Sequence, residues 1–329
     1  MEFGFSEEQQ ELAVTVRSLL ARRADSAGVR ATMVSEAGYD ESLWQTLCEQ
    51  IGVAALGIPE EYAGVGFSLF EGLVVLEEIG RSLAPSPLLA SLITSEALLA
   101  GADDDARKRL LPRIAAGEVA AFVDGPGPVL DGDRATVLVV ATDDGLWEVD
   151  PSTAERTWAP TMDQTIRLAT VEFDAGAATL IGDASAARTR AQLVGTVGVA
   201  ALQAGLAGRA LDMTVEYSRQ RVQFGRPIGS FQALKHRMAH MLVLVEMSRS
   251  ASWAASYAVA TGAPNAEQLA HVAKSYCTDA LNQIAAETVQ LHGGIAITWE
   301  HDAQLVFKRA HALAQLFGGA HHHRARIDL

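Results

Sequence analysis

From about Ala184 to its end, this chain reads as four long helical stretches with only short connections between them. They run through Ser218, from Phe231 toward Thr261, from about Asn265 to His292, and from about Asp302 to Leu316. Long helices joined by short links pack as an antiparallel bundle, because each must bury an apolar stripe against its neighbours. Ser230 suits an N-cap, where its hydroxyl accepts from first-turn amides, and Gly262 and Gly293 suit helix ends, where glycine takes the left-handed exit.

The N-terminal third is also helical. Ser6 followed by Gln9 has the form of a capping box, and Leu12, Val16 and Leu19 then recur at helical spacing. A second helix is predicted from Glu41 to Ile51, ending near Gly52. Pro59, Gly64 and Gly66 make Gly57 to Ser68 a loop. Helical periodicity resumes in LFEGLVVLEEIGRSL, and DARKRLLPRIAAG adds a short helix ending at Gly117.

The texture changes at about residue 119. RATVLVVAT, GLWEVD and IRLATVEFD are short β-branched runs separated by Asp, Gly and Pro, the pattern of strands and turns. The fold class is therefore mainly α with a small β domain: residues 1–118 an N-terminal helical domain, 119–183 a middle β domain, 184–329 a C-terminal four-helix bundle. The order lacks the βαβ alternation of a parallel nucleotide-binding sheet, and no GxGxxG, Walker loop, HExxH or GxSxG occurs.

A formal charge of −14 without a clustered basic face disfavours nucleic acid as a partner. Cys48 and Cys277 sit in apolar helical contexts with no metal or redox spacing, which fits a reducing cytoplasm. The start, MEFGFSEEQQ, is acidic and lacks the basic and apolar regions of a signal peptide. The most apolar run, Leu193 to Gly208, is flanked by Arg190 and Arg209 and is shorter than the roughly 20 residues of a span, so it reads as a buried helix rather than a membrane segment. No metal site is expected: His321, His322 and His323 are adjacent, so on a helix they point about 100° apart, unlike an i, i+4 ligand pair.

Two segments offer more specific chemistry. RVQFGRPIGSFQ, Arg221 to Gln232, places an Arg fork, a glycine-bounded turn and a Gln at a helix start, which together suit a phosphate or pyrophosphate. A solvated helix connection is the plainer reading of those residues alone. QLHGG, Gln290 to Gly294, reads alone as an ordinary C-cap.

Taken with FSEEQQEL, LWQTLCEQIGVAALGIPEEYAGVGFS, VVLEEIGRS and QLHGGIAITWEHD, the two segments resemble the acyl-CoA dehydrogenase family, whose landmarks they match in order over most of residues 1–118 and 185–329. The resemblance implies α,β-desaturation of an acyl-CoA thioester, with a carboxylate removing the α proton and FAD taking the β hydrogen as hydride. It implies that Arg221, Phe224, Gln232, Gln290, Gly293 and Gly294 contact the diphosphate and adenosine half of an FAD held by a neighbouring subunit. An electron-transfer flavoprotein-like acceptor is compatible with it.

The chain also departs from the family. Residues 119–183 carry no TEP…GSD-like loop, AAFVDGPGPVLDGDRATVLVV standing in that region, and the middle domain looks cut down. Neither Trp147 nor Trp158 sits in a motif matching the family's flavin-stacking tryptophan. Where some members carry the catalytic glutamate in a YEGT-like stretch, this chain has Phe317, Gly318, Gly319 and Ala320; where others carry it on the first bundle helix, it has Gly195. A general base needs a titratable group, and glycine has none. Asp212, Glu216 and Glu246 are the substitutes considered, with solvated or paired helix-surface acids as the plainer reading. No catalytic residue is assigned. The pattern resembles the shortened subunits of heteromeric α2β2 acyl-CoA dehydrogenases of steroid catabolism. It implies a second dehydrogenase-like subunit supplying the base and the flavin-ring pocket.

Overall fold

The structure, a computed structural model, describes residues 4–327. The outermost residues of the two terminal segments fall outside it. Helix α1 (Glu7–Arg23) starts at the expected capping box: the Ser6 hydroxyl accepts from the Gln9 amide and the Gln9 side chain from the Ser6 N–H. Next come α2 (Ser26–Met33) and α3 (Glu41–Thr46), the latter continuing as a π-helical turn, Leu47–Ile51, that ends at left-handed Gly52. The predicted helix from 41 to 51 thus changes pitch midway. Helices α4 (Leu69–Ser82), α5 (Leu88–Gly101) and α6 (Asp104–Ala115) complete this part.

Seven strands follow: β1 (Ala120–Asp124), β2 (Val129–Leu130), β3 (Val137–Thr142), β4 (Gly145–Val149), β5 (Glu155–Ala159), β6 (Leu168–Glu172) and β7 (Thr179–Gly182). They form a sheet ordered β1-β3-β4-β7, parallel only between β1 and β3, and an antiparallel sheet ordered β2-β6-β5. Side chains alternate across a strand. Leu138 and Val140 of β3 accordingly pack with Val123 and Val129 between the sheets, whereas Val137, Val139 and Ala141 join the main core. Burial on both faces explains the unbroken apolar run VLVVA.

The C-terminal part contains α7 (Ala184–Gln220), the hairpin strands β8 (Val222–Gln223) and β9 (Arg226–Pro227), α8 (Gln232–Thr261), α9 (Ala266–His292), α10 (Ala303–Gln315) and the short α11 (Ala320–Arg324). Contacts between α7 and α9 keep a near-constant offset of 74 to 75 residues, through Gln203–Thr278 and Thr214–Thr288, so these helices run parallel. Helix α8 runs against both: Arg237 meets Glu287 near its start, and Ser248 accepts from Cys277 further along. With α10 returning along α9, where Lys274 reaches Leu313, the four make an up-down-up-down bundle.

Helix α7 is the pillar of the core. Of 37 residues, it is long and apolar enough to cross a membrane by composition, but 89% of its most apolar window is buried inside the protein. It crosses α4 backbone to backbone: a β-carbon at Gly205 would lie 1.8 Å from the Glu77 carbonyl oxygen, and one at Gly80 would lie 2.2 Å from that of Leu202. No larger residue allows this approach. Buried carboxylates tie the surrounding helices together, Glu96 accepting from Arg190 at 2.6 Å and Glu77 from the Trp253 indole at 2.6 Å.

Gly262 ends α8 in the left-handed region and Gly293 ends α9, as expected. Ser230 does not cap α8. It lies in a 3-10 turn and donates to the Pro227 carbonyl at 2.7 Å, while Phe231 takes the cap position with no side-chain bond. The proline turn competes for the hydroxyl and leaves the helix start open. Cys48 and Cys277 are buried free thiols, each pushed up to about 12 by burial.

Candidate functional site

Helix α7 hands over to a tight hairpin at Arg221, whose N–H still bonds to the Tyr217 carbonyl at 2.9 Å. Pairing of Val222 with Pro227 and Gln223 with Arg226 leaves a two-residue turn, Phe224–Gly225, with both φ values positive, at 53° and 77°. That conformation suits a hairpin's twist and costs a glycine nothing. Phe224 has no such freedom, and the residue is 92% exposed, its ring edge-on to Phe231. A strained backbone that presents an aromatic ring to solvent is a feature expected of a contact surface. Gly229 lets the returning chain pass α7, since a β-carbon there would come within 2.9 Å of the Ser218 carbonyl.

Across the same end of the bundle, α9 stops at Gly293, with φ 64°. The His292 ring, buried just before it, stacks on Tyr217 at 4.5 Å, and its Nδ1 lies 2.7 Å from the Thr288 carbonyl. Burial holds the His292 imidazole below its ordinary pKa, so it is neutral near pH 7 with the proton on Nδ1. This stack, with Thr214–Thr288 and Arg237–Glu287, draws the ends of α7 and α9 and the start of α8 together. Arg221 lies one turn beyond Tyr217, Gln232 opens α8, and Gln290, Gly293 and Gly294 flank His292. All six expected residues occupy one end of the bundle and are exposed. A β-carbon would meet nothing within 4 Å at Gly225, Gly293 or Gly294, so these glycines leave open space rather than fill a packing need.

The two glycines that stand where the resemblance would place a base, Gly195 on α7 and Gly318 in the loop after α10, lie toward the other end of α7. Gly195 is buried beneath Phe317, and an added β-carbon would lie 2.3 Å from the ring's Cε1. Phe317 and Gly318 both have positive φ, at 55° and 99°, and a β-carbon at Gly318 would lie 2.9 Å from the His322 ring. Phe317 also bounds a cleft of about 310 Å³ between α5, α7 and the β1–β2 connection, with the Asp124–Arg188 ion pair, 2.7 Å, at its edge. Of the histidine run, His323 points inward and His321 and His322 are exposed.

None of the considered acids lines this cleft. Asp212 pairs with Arg81, Glu216 accepts from Gln220, and Glu246 pairs with Arg249 at 2.8 Å, all three at exposed positions. Trp147 donates to Thr142 at 2.9 Å, and Trp158 lies 45% exposed beneath the Arg167 guanidinium. Sequence reasoning missed Lys274 and Gln192, which meet the Phe317–Gly318 segment from two helices, and His271, which bonds to His323 behind it. A lysine inside an apolar helical pattern carries no local sign that it is buried.

Residues 6–118 match the acyl-CoA dehydrogenase N-terminal domain and residues 187–328 the C-terminal domain. The chain belongs to the acyl-CoA dehydrogenase family, a family of oxidoreductases. It is 45% identical to the acyl-CoA dehydrogenase IpdE2 of Mycolicibacterium smegmatis, over 98% of both chains. It is 48% identical to the IpdE2 of Mycobacterium tuberculosis, over 94% of this chain and 93% of that one. Among solved structures, the ChsE4–ChsE5 complex from Mycobacterium tuberculosis superimposes with a TM-score of 0.89 at 25% identity, covering 99% of this chain and 97% of the other. A variant of the Tcur3481–Tcur3483 steroid ACAD does so at 0.86 and 28%, covering 98% and 96%. Family membership supports FAD as the cofactor. The bundle end fits its diphosphate: a guanidinium, two exposed carboxamides and a helix start with no side-chain cap are the donors such an anion takes.

Proposed function

We propose that this chain is one subunit of a heteromeric FAD-dependent acyl-CoA dehydrogenase that introduces an α,β double bond into a CoA thioester of a steroid side chain or ring fragment. The chain completes the diphosphate site of an FAD whose ring pocket and catalytic base belong to the partner subunit. When bound, FAD supplies the hydride acceptor. Arg221 would hold the diphosphate, Gln232 and Gln290 would orient it, the Gly293–Gly294 turn would let it approach the backbone, and Phe224 would cover the adenosine half.

The observation that carries this reading is the separation of the two ends of α7. At 1.5 Å per residue, Arg221 lies about 39 Å from Gly195. That exceeds the length of one extended dinucleotide, so the donor face of this chain serves a cofactor other than one seated at its own Phe317 end. At that end glycine occupies both base positions, and Phe317 fills the space over one of them. One structural neighbour is the ChsE4–ChsE5 complex and another, Tcur3481–Tcur3483, is a steroid ACAD, which supports both the partner and the substrate class.

An anaerobic titration of the assembled complex with a steroid-derived acyl-CoA tests the reading. One equivalent of thioester per pair of chains should bleach all the flavin. Bleaching that needs one equivalent per chain would mean that this chain has a working centre of its own.

A further inference from the structure

The segment that carries Phe317 is tied down from three helices. Lys274 on α9 has no exposed surface, and its Nζ lies 3.2 Å from the carbonyl of Leu313, 3.3 Å from that of Ala314, 3.0 Å from that of Gly318 and 3.1 Å from the Thr278 hydroxyl, four acceptors that share its three N–H groups. The first two are carbonyls that the end of α10 leaves unpaired within the helix, so the ammonium caps α10 and grips the next turn at once. From α11, His323 Nε2 lies 2.9 Å from the Phe317 carbonyl, and from α7 the Gln192 amide donates to the same oxygen at 3.2 Å.

The hydrogen-bond directions follow from that carbonyl, which only accepts. His323 carries its proton on Nε2, leaving Nδ1 to accept, and His271 Nδ1, 2.9 Å away, is the donor. The chain of bonds thus runs from His271 through His323 to Phe317. It converges with Lys274 on two adjacent residues whose left-handed backbone would otherwise relax. What this arrangement holds in place is the Phe317 ring, seated on Gly195 at the wall of the 310 Å³ cleft.

We propose that Lys274, with the His271–His323 pair, is a latch that fixes Phe317 over Gly195 and so sets the depth of the adjoining cleft. Lys274 acts as a positioning residue, and Phe317 determines which apolar group the cleft admits. The latch lies wholly within this chain and does not depend on the heteromer reading.

Lys274→Met keeps the side-chain length and removes the ammonium. In the full chain, purified with whatever subunit accompanies it, the variant should raise hydrogen exchange across residues 316–319 by about tenfold and leave the α7 core amides unchanged. Anilinonaphthalenesulfonate, used as an apolar probe, should bind several-fold more tightly to Lys274→Met and to Phe317→Ala than to the parent. Unchanged exchange at 316–319, or a rise spread evenly through α9 and α10, would overturn the proposal, as would probe binding that rises in neither variant. Should Lys274→Met not fold, His271→Phe keeps a ring at that position and removes the donor to His323, a member of the latch. A smaller rise confined to the same amides supports the latch, and no rise overturns it.

Discussion

The Phe317 ring lies on the backbone of Gly195, so close that a β-carbon at position 195 would sit 2.3 Å from its Cε1. The two residues are distant in sequence, and each explains the other: the glycine makes room for the ring, and the ring closes the place where a side chain on α7 would otherwise enter the cleft. Gly195→Ala should therefore destabilise the chain by about 1–3 kcal/mol through overpacking. Phe317→Ala in the same chain should return much of that loss. Thermal unfolding of the parent, both single variants and the double variant measures the coupling, and strictly additive effects would show that the ring is not what Gly195 accommodates.

Gly318→Glu should not raise acyl-CoA oxidation. Its φ of 99° is unfavourable for any side chain, and the added β-carbon would press on the His322 ring at 2.9 Å. The expected outcome is a loss of stability of about 1–3 kcal/mol with no gain in acyl-CoA oxidation, read by unfolding and by a dye-coupled assay.

Stability should depend on pH at both ends of the accessible range. Burial holds His323 down to about 4 in the folded chain, with Lys274, His271 and His322 adding repulsion and the Phe317 carbonyl opposing, against 6.5 for a free imidazole. Between those values the unfolded chain binds the extra proton. This contribution is therefore complete above about 6.5 and is lost as pH falls toward 4. Burial likewise lowers Lys274 to about 8 from 10.5, so stability should rise as pH increases through that window. Each slope is at most about 1.4 kcal/mol per pH unit for one proton. Lys274→Met should flatten the alkaline rise, and a melting curve of the variant that keeps it would assign the rise to another group.

Much of the architecture was legible because local chemistry and tertiary role coincide. The Ser6–Gln9 box and the exits at Gly52, Gly262 and Gly293 obey rules that act over a few residues, whereas the residues around the Tyr217–His292 stack stood out only through the family resemblance. Helix α5 escaped because it is buried on nearly all sides, so LLASLITSEALLAG shows no polar stripe to set a period. The exposed strand β5 has no apolar alternation to reveal it. Ser230 misled because its hydroxyl had a nearer carbonyl at Pro227. The Phe317–Gly195 contact and the buried Lys274 depend on neighbours far along the chain, where no spacing rule reaches.

Arg221→Ala tests the diphosphate face. The guanidinium's charge-assisted contacts contribute about 1.5–3 kcal/mol, so FAD affinity of the assembled complex should fall roughly 10- to 150-fold while assembly persists. Equilibrium dialysis with FAD reads this directly. Full occupancy in the variant would place the diphosphate elsewhere.

The most direct measurement is the flavin content of this chain expressed alone and together with a dehydrogenase-like partner. The account predicts a colourless or poorly soluble chain alone, and a yellow complex holding about one FAD per pair of chains when co-expressed. One FAD per chain in the isolated protein, with acyl-CoA oxidation, would contradict it.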